Sequence, residues 1–179
     1  MSVCLFFAPA RQQGLSLVEL MVAVAVLAIV IAVAPGSFIS LVESNRQDTA
    51  QNEITSLLNL VRSTAISSNS RVTLCRTGNM QQCSGDVRIG SQRWQGAIAF
   101  IDLNQDRTVG AQETVLRVAT FDDPVRIIWN RGDSLVYQPD GSVLGGSNGT
   151  FTITTPGSSY SNLVVVSLPG RIRIASTGS

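Results

Sequence analysis

Gly14-Leu15-Ser16-Leu17-Val18-Glu19-Leu20 opens a stretch that stays apolar, apart from Ser16 and Glu19, as far as Ala34: GLSLVELMVAVAVLAIVIAVA, residues 14–34. As a helix, Leu15–Ala34 would extend about 30 Å, the thickness of a bilayer's hydrocarbon core. A secretory signal places charge, apolar run and cleavage site in that order. Here the small residue suited to cleavage, Gly14, precedes the run, so processing would leave the helix on the mature chain. Glu19 lies inside the run, where a carboxylate costs a few kcal/mol unless it is paired. Two readings follow. Either Glu19 snorkels to the membrane surface, one turn away, or it pairs in register with a cation on a neighbouring subunit. The new N-terminal amine of Leu15 would be that cation.

Composition removes many chemistries. The chain has 179 residues, 13 cations and no His, and every cation is arginine. Without His there is no Ser-His-Asp or Cys-His catalysis and no histidine-ligated zinc. Without Lys there is no Schiff base and no phosphate-loop lysine. The net charge of +1 excludes a polybasic coat or an acidic tail. Loss of residues 1–14 removes Arg11 and leaves 12 arginines against 12 carboxylates, so any anion binding has to come from a local patch.

The quoted stretch resembles the type IV prepilin signature, a glycine followed by a short motif ending in Glu-Leu ahead of an apolar helix. The resemblance implies cleavage after Gly14 by a prepilin peptidase, N-methylation of Leu15, and an assembly role for Glu19. Leu15 departs from the usual Phe or Met. It further implies a single pass through the inner membrane with the globular part in the periplasm, then transfer to a pilus at the cell surface. The partners implied are inner-membrane lipid and other major and minor pilins.

Cysteine usage agrees with export. Cys4 belongs to the leader, so cleavage leaves Cys75 and Cys83, an even pair around a short polar loop. A structural disulfide is favoured over zinc, because two thiols without His make a poor zinc site. The spacing is not that of a C-x-x-C redox pair.

Beyond the apolar run, Pro35-Gly36 predicts a kink or a break. Ala50, Ile54, Leu57, Leu58, Val61 and Ala65 then recur at helical spacing opposite a polar face that includes Asn45, Arg46, Gln47, Asp48 and Arg62. The helix is expected to end near Ser67. From residue 70 the pattern changes to short β-branched runs separated by Gly, Asn, Asp and Pro. These are RVTLC (71–75), WQGAIAFID (94–102), TVLRVAT (114–120), VRIIW (125–129), SLVYQ (134–138), GTFTITT (149–155), NLVVVSL (162–168) and RIRIA (171–175). The fold class is α+β, a long N-terminal helix packed on an antiparallel β-domain. The expected segments are a leader over 1–14, a helix over 15–68 whose part 15–34 spans the membrane, and a β-rich domain over 69–179.

Trp94-Gln95-Gly96, Phe100-Ile101-Asp102-Leu103-Asn104-Gln105-Asp106, Glu113-Thr114-Val115-Leu116-Arg117, Tyr137-Gln138-Pro139-Asp140-Gly141, Val164–Ser167 and Gly170–Ile174 together resemble the FimT/GspH family of minor pilins and pseudopilins. That resemblance implies a pilin-like helix capped by a β-sandwich, and assembly into a pilus or into the pseudopilus of type II secretion.

Three candidate sites remain. Asp102, Asn104, Asp106, Thr108 and Glu113 carry oxygens at positions 1, 3, 5, 7 and 12 of a calcium-loop spacing. Position six is Arg107 where glycine is needed, and the flanks read as strands, so a polar hairpin turn is the stronger reading. Asp122-Asp123-Pro124 could be a carboxylate pair for glycoside hydrolysis, but reads as turn chemistry, and no nucleophile, phosphate loop or metal set accompanies it. The expectation is that the chain is not an enzyme and needs no metal or other cofactor.

The third candidate is Gly170-Arg171-Ile172-Arg173. In a strand, Arg171 and Arg173 share a face about 7 Å apart, comparable to successive phosphates along a nucleic-acid strand. Gly170 would allow close backbone approach, and its N–H could add a phosphate contact. In the FimT branch this pattern resembles a motif that captures double-stranded DNA for natural transformation. The competing reading is an edge strand blunted by solvated arginines. Arg126 and Arg131, beside Trp129, are candidate helpers, with Trp129 either stacking on bases or filling the core. The function expected is a minor pilin with a DNA-contacting C-terminal region. The alternative is a secretion pseudopilin, or a pilus-priming subunit that does not touch DNA.

Overall fold

The computed structural model describes residues 16–84 and 92–178, without the side chains of residues 30 and 32–40. Gly14 and Leu15, the expected processing site, lie outside the described residues. The chain divides into two compact units between Ile39 and Ser40. One helix, α1 (Leu17–Ser68), supplies the first unit and begins the second.

In the first unit the helix start is specified locally. The Ser16 hydroxyl accepts the Glu19 N–H at 3.3 Å, and the Ser16 carbonyl accepts the Leu20 N–H at 3.2 Å. Ser16 is thus the N-cap and Glu19 the third helical residue, the spacing of a capping box, with a carboxylate at the positive end of the helix dipole. Leu17, Val18, Met21 and Ile29 all stand exposed. Among the described residues no helix is long and apolar enough to cross a membrane. The expected span, 15–34, includes Leu15 and the side chains of 30 and 32–34, which lie outside the description. Of the two alternatives at Pro35-Gly36, a kink or a break, the break does not occur: α1 is one helix from Leu17 to Ser68. Proline removes one backbone donor, and the helical bonds on either side remain.

In the second unit Ala50, Ile54, Leu57, Leu58, Val61 and Ala65 form the buried stripe of α1. Eight strands follow: β1 (Val72–Thr77), β2 (Gly96–Ile101), β3 (Val115–Thr120), β4 (Arg126–Trp129), β5 (Ser134–Tyr137), β6 (Gly149–Thr154), β7 (Tyr160–Val166) and β8 (Ile172–Gly178). They make two antiparallel four-stranded sheets, ordered β3-β2-β1-β5 and β4-β6-β7-β8. Each β-branched run in the sequence becomes one strand. The helix stripe shares one core with Val72, Leu74, Trp94, Ala97, Trp129, Leu135, Phe151 and Val164.

In the first sheet β1, β2 and β5 are buried on both faces, whereas the edge strand β3 is largely exposed. Val72 and Leu74 join the helix-side core, while Cys75, Ile98 and Phe100 form a second cluster with Cys83 and Val109 packed against it. The register explains that cluster, since Cys75 faces Ile98 and Thr73 faces Phe100 across β1–β2. In the second sheet only one face is covered, and β6 and β7 alternate accordingly: Phe151, Ile153, Val164 and Val166 point inward.

Candidate functional site

The candidate arginines lie on the second sheet. Val164 and Val166 point into the core, and their register partners are Ile174 and Ile172, so these isoleucines take the inner face. Arg173 pairs with Val165 and therefore stands on the outer face. Arg171 sits in the β7–β8 turn immediately before β8, and both arginines are exposed. Arg76, Arg93 and Arg117 are held by Asp133, Asp123 and Glu53 at 2.7, 2.6 and 2.9 Å. Among the described residues Arg171 and Arg173 have no such carboxylate partner. The edge position of β8 leaves their charges in water.

The turn holding Arg171 is tightly built. Gly170 N–H donates to the Ser167 carbonyl at 2.8 Å, and Ser167 donates its N–H at 3.0 Å and its hydroxyl at 3.2 Å to the Arg171 carbonyl. Gly170 has φ +75°, a conformation that favours glycine, and a Cβ there would strike the Gly141 carbonyl oxygen and come within 2.9 Å of the Tyr137 ring. This corrects one expectation. Gly170 is buried, its N–H is already used, and the backbone that approaches it is the chain's own. The Tyr137 hydroxyl donates to the Gly170 carbonyl at 3.3 Å. Burial pushes the Tyr137 phenol up to about 12, with the Arg62 charge opposing that shift in part.

Arg62 was legible in the sequence only as part of the helix's polar face. It donates Nε to the Gly141 carbonyl at 3.1 Å and Nη2 to the Pro169 carbonyl at 3.3 Å.

The helper arginines separate. Gly149 pairs with Val166 and Val166 with Ile172, while Trp129 pairs with Phe151, so Arg131, just past β4, lies at the same end of the sheet as Arg171. The three strand intervals between β4 and β8 put their backbones about 14 Å apart. Arg131 is exposed and donates Nε to the Asn148 carbonyl at 2.9 Å. Arg126 pairs with Thr154, at the opposite end and opposite edge from Arg171. Trp129 is 1% exposed and stacks on Phe151 at 4.2 Å, so it fills the core and offers no platform for a base.

The acidic loop closes on itself. Asp102 Oδ2 accepts from the Thr73 hydroxyl at 2.7 Å and the Arg107 N–H at 3.3 Å. Glu113 accepts the N–H groups of Leu103 and Gly110, both at 2.9 Å. The Thr108 hydroxyl and N–H, both donating to Asp106, hold its carboxyl below the usual range. Among the described residues no three His, Cys, Asp or Glu side chains gather to hold a metal. The Cys75 and Cys83 sulfurs are bonded, with Cα atoms 5.6 Å apart. Asp122 and Asp123 belong to the turn before β4, where the Asp122 carbonyl accepts the Val125 N–H at 3.1 Å. They line an open groove of about 790 Å³ with Arg46, Glu53, Arg117 and Phe121, in which Arg117 is already paired with Glu53.

The family model for type II transport protein GspH matches residues 50–170, well over half the chain. The chain belongs to the GspH family. The model for the prokaryotic N-terminal methylation motif matches residues 9–35. The fold is similar to that of the type IV minor pilin FimU of Pseudomonas aeruginosa strain PAO1, in two crystal forms. The TM-scores are 0.58 and 0.54, both at 18% identity, with 75% and 72% of this chain and 92% and 91% of those chains covered. No curated protein sequence matches the chain. The GspH chain is therefore a pilin-type subunit, a type IV minor pilin or a GspH-like pseudopilin, whose family and fold are structural.

Proposed function

We propose that this chain is a minor pilin of a type IV pilus that contacts double-stranded DNA through Arg171 and Arg173, with Arg131 as the helper cation. The observation that carries the DNA reading is that Arg171 and Arg173 stand exposed two residues apart on one sheet edge, with no carboxylate partner among the described residues. Arginine's planar fork suits phosphate oxygens, and few contacts give weak, sequence-independent, salt-sensitive binding. Arg126 belongs to the other end of the sheet and drops out of this footprint. A prepilin peptidase cuts after Gly14, Leu15 is methylated, and the 15–34 helix holds the subunit in the inner membrane with the β-domain in the periplasm. Glu19 then pairs with a neighbour's N-terminal amine as the subunit enters the fibre. The paired match of a methylation motif at 9–35 and a GspH domain at 50–170 supports this order of events.

The test is a titration of the full chain in detergent micelles with a short DNA duplex at two salt concentrations, beside Arg171→Gln/Arg173→Gln. Binding that falls with salt and is lost in the variant supports the reading; each phosphate neutralised contributes a slope of about −0.9 in log K against log salt. A folded chain that ignores DNA at low salt would leave the second reading, a secretion pseudopilin that touches only protein, which the GspH description favours.

A further inference from the structure

We infer that Arg62, on the helix, is the positioning residue for the arginine pair: its guanidinium clamps the β7–β8 turn to the domain and so fixes the direction in which Arg171 and Arg173 leave the sheet. The consequence for DNA rests on the reading above; the clamp itself does not.

Arg62 lies 107 residues before Pro169 in the chain, so its bond to the Pro169 carbonyl is a tertiary one. The same guanidinium reaches Gly141, whose carbonyl oxygen occupies the space where a side chain at position 170 would be. One planar cation therefore bridges two turns, 138–142 and 167–171. The two turns are also tied directly, by Val143 N–H on the Leu168 carbonyl at 3.0 Å. Gly141 itself is turned at φ +77°, and Ile66, one helical turn beyond Arg62, packs where its Cβ would be. Tyr137 closes the cluster from below through its hydroxyl on the Gly170 carbonyl. Arg171 is the next residue, and Ile172 starts β8.

The chemistry of the bridge needs arginine. Two carbonyls on different turns are met by Nε and Nη2 of one rigid fork, a geometry that a lysine ammonium on a flexible stem does not reproduce. Both carbonyls belong to the turns, so the clamp sets backbone position and leaves the arginine side chains at 171 and 173 untouched. That separates Arg62 from a phosphate-binding cation.

The experiment compares wild type, Arg62→Gln, Arg62→Lys and Arg171→Gln/Arg173→Gln as full chains in detergent. Amide hydrogen exchange is read at Gly170 and Val143, with Trp94, whose N–H donates to Ile127 at 2.8 Å in the core, as the reference. The clamp predicts exchange at Gly170 and Val143 rising about tenfold or more in Arg62→Gln and less in Arg62→Lys, with Trp94 unchanged. Equal changes at all three amides, or none, would overturn it. The DNA titration then reads the consequence. Weaker binding by Arg62→Gln at an unchanged salt slope supports positioning, whereas a slope shallower by about 0.9 makes Arg62 a phosphate contact and overturns it. If the Arg171→Gln/Arg173→Gln control leaves binding unaltered, the DNA reading falls, and the exchange result alone decides the clamp.

Discussion

The Gln47 amide of the helix donates to the Thr155 hydroxyl at 2.8 Å, across 108 residues of chain and in a place where Gln47 is fully buried. Around it, Asn162 donates to Asp48 at 2.9 Å, and the Tyr160 hydroxyl meets Ser44 Oγ at 2.6 Å. The helix is thus joined to the β6–β7 hairpin by a polar seam, beside the apolar stripe that packs below it.

That seam has one flaw with a measurable consequence. Gln47 Oε1 is buried without a partner, so the amide is only half satisfied. Thr155→Val removes the remaining bond and leaves both ends of a buried amide unmet, costing about 1–3 kcal/mol. Gln47→Met keeps the volume and discards the unmet oxygen, so its loss is expected to be smaller. Urea unfolding of both variants checks the order, and equal losses would mean that leaving the buried amide unmet costs no more than replacing it.

Tyr137 gives the unit an alkaline limit. Its phenol is raised from 10.0 to about 12 by burial. The unfolded chain therefore loses this proton first as pH rises. The associated stability is complete below about pH 10 and is lost progressively towards pH 12, roughly 2–3 kcal/mol in all. Denaturant unfolding at pH 9 and near pH 12 should show that loss in wild type, and Tyr137→Phe should lack this part of it.

The helix stripe and all eight strands were legible because they rest on local patterns: apolar spacing at Ala50–Ala65, and β-branched runs punctuated by turn residues. Cys75 and Cys83 were legible by parity once Cys4 was assigned to the leader. Arg62 was not, since one arginine on a polar helix face carries no sign of the turns it will meet about 80 and 107 residues later. Gly170 was half legible. Its need for a close backbone was readable, but not that the backbone would be Gly141. Arg126 and Arg131 share only their nearness to Trp129 in the sequence, and β4 puts them at opposite ends of the strand that carries it.

The disulfide closes a loop of sequence separation 8 over the second core cluster, with Cys75 only 1% exposed. Chain-entropy reasoning assigns such a short loop about 2–3 kcal/mol. Cys75→Ala/Cys83→Ala should lower the unfolding free energy by about that much, and reducing agent should do the same to wild type but nothing further to the variant. A variant as stable as the oxidised chain would show that the bond constrains little.

Glu19 has two roles to separate. In the described helix it occupies the third position after the Ser16 cap, where a carboxylate favours the helix start by about 0.3–1 kcal/mol. The assembly reading asks more of it: pairing with a neighbour's amine, without which a carboxylate inside the apolar bundle is expensive. Glu19→Ala should spare membrane insertion, since removing a charge eases entry into hydrocarbon, yet reduce incorporation into fibres. Glu19→Gln sharpens the comparison, because it keeps a side chain of the same length and loses only the charge. Membrane fractions and sheared pili probed for both variants decide between the roles. Loss from pili in both, with normal membrane levels, assigns the residue to assembly. Normal amounts of both in sheared pili would reduce Glu19 to a helix-start residue.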